Sequence, residues 1–313
     1  SNWTAIDFND EAWPDANELF DGKPKGMGDG FGWALVPSSI PAMELTYQRI
    51  PELRTVTGMD VPKSFPSVKK SITIPANTTV SLLLKQTFLT NAYVTLEMSK
   101  GKGAGLSLAY AETLYDKGSN GKRKSNRNEV EGKEFIGRKD SLLADGSENQ
   151  IFTTLNFRTY RYLKIIVRTK GEELIINDLY GTFTAYPFKQ AAVLNTDNTE
   201  IKQILDIGWR TARLNAWETY TDCPYYEQLQ YIGDTRIQAM VSYYYTGDDR
   251  LARNAINLMD HSRLPEGITL SRYPTHSTQI ISTFSLWYIG MLYDYWTYRE
   301  DSNYIKEKLG RER

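Results

Sequence analysis

Three carboxylates stand within thirteen residues of one stretch of the chain, and four tyrosines crowd around them. The acids are Asp222, Glu227 and Asp234; the tyrosines are Tyr220, Tyr225, Tyr226 and Tyr231. Carboxyl groups at close quarters can divide labour, one giving a proton while the others accept hydrogen bonds from hydroxyl groups. With aromatic rings beside them, that is the layout of a pocket that grips a polyol and needs a proton donor. Pro224 fixes its own φ and disfavours helix at Cys223, so Asp222 is expected on a loop with a new helix starting just after it. From Tyr225 onward Leu229, Ile232, Ile237, Met240 and Val241 recur at helical steps. On such a helix Glu227 and Asp234, seven residues apart, project from nearly one face at about 10 Å along the axis. Spacing alone leaves a plainer reading open. Acids at a helix start are favoured by the macrodipole and are often no more than a solvated helix end.

The run Thr221-Asp222-Cys223-Pro224-Tyr225-Tyr226-Glu227-Gln228, followed by Gly233-Asp234, resembles the signature of the bacterial α-L-rhamnosidases of glycoside hydrolase family 78. The resemblance implies an (α/α)6 catalytic barrel and inverting removal of terminal α-L-rhamnose. It implies that Glu227 is the general acid and that Asp222 and Asp234 bind rhamnose hydroxyls. Some members carry Asp-Glu-Arg where this chain has Tyr-Glu-Gln, a difference that leaves the acid in place. The family's general base is a glutamate in a later part of the barrel, and none of the remaining acids matches its motif; Glu266 is the local stand-in. Candidate substrate-binding residues beside the two aspartates are Tyr226, Trp217, Arg272 and Tyr273, the last two in a Ser-Arg-Tyr-Pro loop at the same end of the hairpins if helices alternate. Trp209 and Trp287 are further ring candidates, equally suited to the barrel core. The resemblance implies a carbohydrate partner, a periplasmic or secreted setting and no cofactor, with a structural calcium ion and a homo-oligomer left open.

Composition narrows the alternatives. A net charge of −1 gives no electrostatic case for nucleic acid or an anionic membrane. No apolar run approaches the roughly 20 residues of a membrane span. Cys223 is the only cysteine, so no internal disulfide exists. Beside Pro224 it reads as a packing thiol rather than a nucleophile. His261 and His276 lack ligand-spaced partners, which weakens any zinc reading. Lys122-Arg123-Lys124 and Arg127 lie among Gly, Ser and Asn beside Glu129, Glu131 and Glu134. That segment is expected to be a mobile surface loop.

The elements that would position the acids fall into three regions, giving a multidomain chain with an all-β sandwich followed by part of an α-helical (α/α)6 barrel. Residues 1–62 read as irregular, the edge of an N-terminal jelly-roll domain and a linker; the stretch from Trp3 to Trp13 resembles the closing edge of such a jelly roll. Residues 63–186 read as a β-sandwich domain, with alternating runs at 71–75, 79–84, 92–98, 106–110, 149–155, 160–167, 174–179 and 181–186. Residues 187–313 switch to helix period, with four helices expected near 198–216, 226–245, 249–261 and 278–299. Asn198-Thr199-Glu200 reads as a helix start, Ile201, Ile204, Leu205, Ile207, Gly208 and Ala212 as one apolar face, and Thr246-Gly247-Asp248 as a stop signal. These are the first hairpins of a barrel. An open set of hairpins would leave apolar faces to water, so the chain is expected to be a truncated part of a longer protein. Two other functions stay open: another glycosidase on the same hairpin barrel, and a non-catalytic carbohydrate-binding module carried by the sandwich.

Overall fold

The computed structural model describes residues 7–17, 23–24, 34–35, 37–124 and 126–310. The chain separates into two units, Ser1–Ser39 and Ile40–Arg313. In the first, β1 (Lys23–Pro24) pairs in parallel with β2 (Ala34–Leu35), and the Phe8 ring packs on Trp13 at 5.3 Å. The beginning of the jelly-roll edge, residues 3–6, lies outside the described residues.

The second unit opens with β3 (Glu44–Gln48), β4 (Glu52–Thr57), β5 (Ile72–Ile74), β6 (Thr79–Lys100) and β7 (Gly105–Ala111). After these come β8 (Tyr115–Asp116), β9 (Lys133–Glu134), β10 (Arg138–Leu143), β11 (Gln150–Thr153), β12 (Arg158–Arg168) and β13 (Leu174–Ala185). Nine of them form one antiparallel sheet in the order β10-β7-β12-β6-β13-β3, with β11 and β4 also on β6 and β5 on β13. The strand β6 organises it. Two of the expected runs, 79–84 and 92–98, are a single strand whose even-numbered side enters one core on either side of an exposed Phe88: Val80, Leu82 and Leu84, then Ala92, Val94, Leu96 and Met98. Period-two alternation held over that length gives every partner strand the same inward face. Leu163, Ile165 and Val167 of β12 and Leu174, Ile176 and Leu179 of β13 close on the same cluster.

Two expectations need correction here. Residues 44–57, expected as irregular linker, are the strands β3 and β4. Pro51 separates them, and proline at a strand edge or between strands breaks no ladder bond. The strand β10 begins Arg138-Lys139-Asp140 and pairs with β7 at the end of the strand order. Charges there suit an edge and hide the alternation. Between β8 and β10 the charged loop is also better tied than expected. Val130, with Phe135 against it, joins Leu83, Leu114 and Tyr162 in a small cluster of its own.

Among the described residues five helices follow: α1 (Thr199–Leu214), α2 (Ile232–Thr246), α3 (Arg250–His261), α4 (Ser282–Arg299) and α5 (Ser302–Leu309). Asn198 caps α1 by accepting from the amides of Glu200 and Ile201 at 2.9 and 3.3 Å. Gly247, at φ 69°, ends α2 in the left-handed conformation, as the Thr-Gly-Asp signal predicts. Leu251, Ala252, Ala255, Ile256 and Met259 bury one face of α3. The fifth helix was not expected; its residues are mostly charged or polar, but Asp301 caps it through the Tyr304 amide.

Sheet and helices meet through specific contacts. Asn91 donates to the Leu214 carbonyl at 2.9 Å, the Phe157 ring stands edge-on to Trp217 at 4.4 Å, and Arg210 lies 3.5 Å over Phe88. Elsewhere the helices present apolar side chains to water. Ile201, Ile204 and Ile207 of α1 are exposed, Ile204 by 59%; so are Leu286, Ile289, Tyr293 and Trp296 of α4, Leu286 by 66%. Exposed apolar side chains recurring along one helix are the kind of surface that serves packing against further structure. Among the described residues no helix is long and apolar enough to cross a membrane.

Candidate active site

The Asp-Cys-Pro motif builds a closed loop instead of a helix start. The Asp222 amide donates to the Leu229 carbonyl at 2.9 Å, and the Leu229 amide returns to Asp222 Oδ1 at 3.0 Å. Gln228 sits at φ 59° and its side chain donates to the Pro224 carbonyl at 2.8 Å. A left-handed residue cannot continue a right-handed helix, so α2 waits until Ile232. This corrects the expectation of a helix from about Tyr226: Glu227 belongs to the loop, and only Asp234 lies on α2, in its first turn. The two acids therefore do not share a helix face. Cys223 serves the loop as well, its sulfur accepting from the Glu227 amide at 3.3 Å.

Beneath the loop lies Gln230, only 1% exposed. Its carbonyl oxygen Oε1 accepts from the Tyr220 amide at 3.2 Å and its Nε2 donates to the Tyr273 carbonyl at 2.8 Å. The Tyr273 amide bonds Gln230 O at 3.1 Å and the Ile232 amide bonds Ser271 O at 3.0 Å. This short backbone ladder brings the Ser-Arg-Tyr-Pro loop against the Asp-Cys-Pro loop. The expectation that the two share one end of the hairpins holds.

Asp234 responds to the other two acids. Burial raises the Asp234 carboxyl above its ordinary value, and the charges of Asp222 and Glu227 add to the rise. Among the described residues, no side chain donates to the Asp234 carboxylate, whereas Glu227 Oε2 accepts from Tyr231 OH at 2.8 Å. Arg272 Nη1 in turn donates to Tyr231 OH at 2.8 Å, with its guanidinium 5.5 Å from that ring. Arg272 Nε is buried and unpaired. Tyr231 is not among the site residues that the sequence suggests; the loop, not a shared helix face, brings it to Glu227.

The raised Asp234 carboxyl carries a stability consequence. The folded protein binds this proton more tightly than the unfolded chain, so stability falls as pH rises from the ordinary carboxylate range through the raised value. Asp234→Asn removes that loss. It is expected to melt above the parent at pH 7, with the gap closing below about pH 4, as thermal unfolding at the two pH values would record. Earlier melting at both would mean that the carboxylate is a structural partner.

The other candidate residues sort by contact. Tyr226 is 49% exposed and its hydroxyl lies 2.9 Å from Tyr115 OH. Lys124 also donates to Tyr226 OH, and its Nζ is 2.6 Å from Glu112 Oε1. Trp217 packs on Phe157, and its indole nitrogen is buried without a partner. Tyr273 is half-buried against the helical core. Trp209 stacks on Tyr245 at 5.2 Å, and Trp287 carries the Arg236 guanidinium at 4.9 Å. Glu266 is exposed on the loop before α4. Among the described residues no group of three or more His, Cys, Asp or Glu is placed to hold a metal ion.

An antiparallel sheet thus leads into helical hairpins, with Asp222, Glu227 and Asp234 beside the Arg272–Tyr231 pair. Residues 189–310 match the family model described as the bacterial alpha-L-rhamnosidase 6 hairpin glycosidase domain. No curated protein sequence matches the chain. The fold is similar to that of a rhamnosidase from Klebsiella oxytoca with rhamnose bound, at a TM-score of 0.68 and 15% identity over 86% of this chain and 55% of that one. It is similar also to the GH78 family rhamnosidase of Bacillus sp. GL1, at 0.64 and 18% over 79% of this chain and 24% of that one. A third likeness is to the Streptomyces avermitilis alpha-L-rhamnosidase complexed with L-rhamnose, at 0.58 and 15% over 76% and 23%. The chain thus spans from about a quarter to about half of these proteins. Residues 189–310 are thus similar to a bacterial α-L-rhamnosidase hairpin domain, the likeness that the Asp-Cys-Pro motif indicated.

Proposed function

We propose that this chain is part of an inverting α-L-rhamnosidase in which Glu227 protonates the glycosidic oxygen while Asp222 and Asp234 hold rhamnose hydroxyls. The observation that carries the reading is the grouping of the three acids. Asp234 feels the charges of both others, and Asp222 and Glu227 stand on one closed loop. The match of residues 189–310 to the rhamnosidase domain supports the substrate class. Glu227 is exposed and bonded through one oxygen to Tyr231, which leaves the other free to present a proton to a leaving group. Arg272 acts on Glu227 through Tyr231 and fixes its orientation. In an inverting glycosidase a second carboxylate, roughly 6.5–9.5 Å from the acid, activates water on the opposite face of the ring. That base is assigned to further hairpins, which would also cover the bare faces of α1 and α4 and close the (α/α)6 barrel. Glu266 remains the stand-in within this chain.

Sugar binding by the two aspartates has its own test. A carboxylate accepting from a sugar hydroxyl contributes about 1.5–3 kcal/mol. Asp222→Asn and Asp234→Asn in the full-length protein should each weaken binding of free L-rhamnose, measured calorimetrically, with no loss of melting temperature at neutral pH. In Asp222→Asn the side-chain amide oxygen could still accept from the Leu229 amide, so the loop should persist. Unchanged rhamnose affinity in both variants would remove the aspartates from the sugar site.

A further inference from the structure

The loop between β7 and β10 reaches from the sheet to the residue next to the proposed acid. Lys124 is its contact. The ammonium stands 2.6 Å from Glu112 Oε1, donates to Tyr226 OH, and lies 4.5 Å from the centre of the Tyr226 ring. Tyr115 completes the group from below, 8% exposed, with its hydroxyl 2.9 Å from that of Tyr226 and its ring 5.5 Å from Lys124. The loop is held at several points. Lys124 bridges to Tyr115 through the backbone, Asp116 pairs with Lys133 at 2.5 Å, and Val130 is buried beside Leu114. At its far end Gly137 crosses Tyr110 so closely that a Cβ would come within 1.9 Å of the Tyr110 carbonyl oxygen. That same oxygen accepts from Tyr225 OH at 3.0 Å. Both tyrosines ahead of Glu227 are therefore tethered to the sheet side.

Resting on the reading of Glu227 as the acid, we propose that Lys124 is a positioning residue for the proton transfer. Held by Glu112, it fixes the Tyr226 hydroxyl and so sets where the next residue presents its carboxyl. The helical part holds Glu227 through Tyr231, whereas among the described residues the Tyr226 hydroxyl is bonded from the sheet side, by Tyr115 and Lys124. Tyr226 and Glu227 are both exposed, and the amide of Glu227 has only a thiol acceptor. A cation held by a carboxylate that is itself mostly buried, with 12% of its side chain exposed, is a stiffer anchor than a solvated lysine. Burial raises the Tyr115 hydroxyl, which shares a hydrogen bond of 2.9 Å with the Tyr226 hydroxyl. Lys124 touches neither the reacting bond nor Glu227; its effect travels through Tyr226.

A displaced acid matters most where the leaving group needs its proton. Lys124→Ala in the full-length protein is therefore expected to lower kcat about tenfold on a rhamnosyl disaccharide, with KM little changed. On a nitrophenyl α-L-rhamnoside, whose leaving group departs without help, the loss should stay under about twofold. Lys124→Arg should restore most of the disaccharide activity. Tyr226→Phe, which keeps the ring and removes the bonded hydroxyl, should show the same selective loss, and combining it with Lys124→Ala should add little. Glu227→Gln measured alongside separates the two claims. If it lacks the leaving-group dependence, the acid assignment fails. If it has that dependence and Lys124→Ala does not, the positioning role alone fails. Equal losses on both substrates, or a raised KM on the disaccharide at unchanged kcat, would likewise overturn the role of Lys124.

Discussion

Glu227→Gln in the full-length protein is expected to lower turnover on a natural rhamnoside by about 10²–10⁴-fold, the usual contribution of a general acid. The amide is close to isosteric with the protonated acid and can still accept from Tyr231 OH, which lies 2.8 Å from Glu227 Oε2. It has no proton to transfer to a departing alkoxide. Because Glu227 is exposed and its side chain anchors no backbone, the variant should melt with the parent. A fold-wide explanation of the rate loss would then be closed. A natural rhamnoside cleaved at the parental rate would end the assignment.

The second large effect concerns residues 1–313 alone. Supplied without further hairpins, they are expected to release no measurable rhamnose from an aryl rhamnoside. Two effects combine here. Water attacking the anomeric carbon would lack the base assigned to those hairpins, at a cost of about 10²–10⁴-fold. The bare isoleucines of α1 and the Leu286, Ile289, Tyr293 and Trp296 side chains of α4 would also favour association through the helices. Light scattering should detect that association, and Ile204→Lys with Leu286→Lys should reduce it. Efficient turnover by residues 1–313 would mean that the base lies within them, and Glu266 would be the first residue to replace.

Much of this was legible in the sequence, and what was not has physical causes. Strand alternation in β6, β7, β12 and β13 and the Asn198 and Gly247 helix signals act locally, so a local pattern records them. The start of α2 was misread because Leu229 and Ile232 fit a helical step, while the opposing force is a single ring closure between Asp222 and Leu229 with Gln228 at positive φ. The exposed Ile201, Ile204 and Ile207 of α1 agree with the expectation that an open set of hairpins leaves apolar faces to water. Lys124 was invisible for another reason. Its neighbours are Gly, Ser, Asn and other charges, the composition of a solvated loop, and its partner Tyr226 lies 102 residues away. Sequence patterns register what a segment does to itself; they do not register which distant loop it meets.

The proposed chemistry turns on a proton leaving Glu227. Its most direct test is the turnover of Glu227→Gln on two rhamnosides of the same glycone, one a nitrophenyl glycoside and one a disaccharide. Relative to the parent, the ratio of the two rates should shift by about 10²-fold or more toward the nitrophenyl substrate, because only the disaccharide needs the acid. An unchanged ratio, whatever the absolute rates, would contradict the assignment of Glu227 as the general acid.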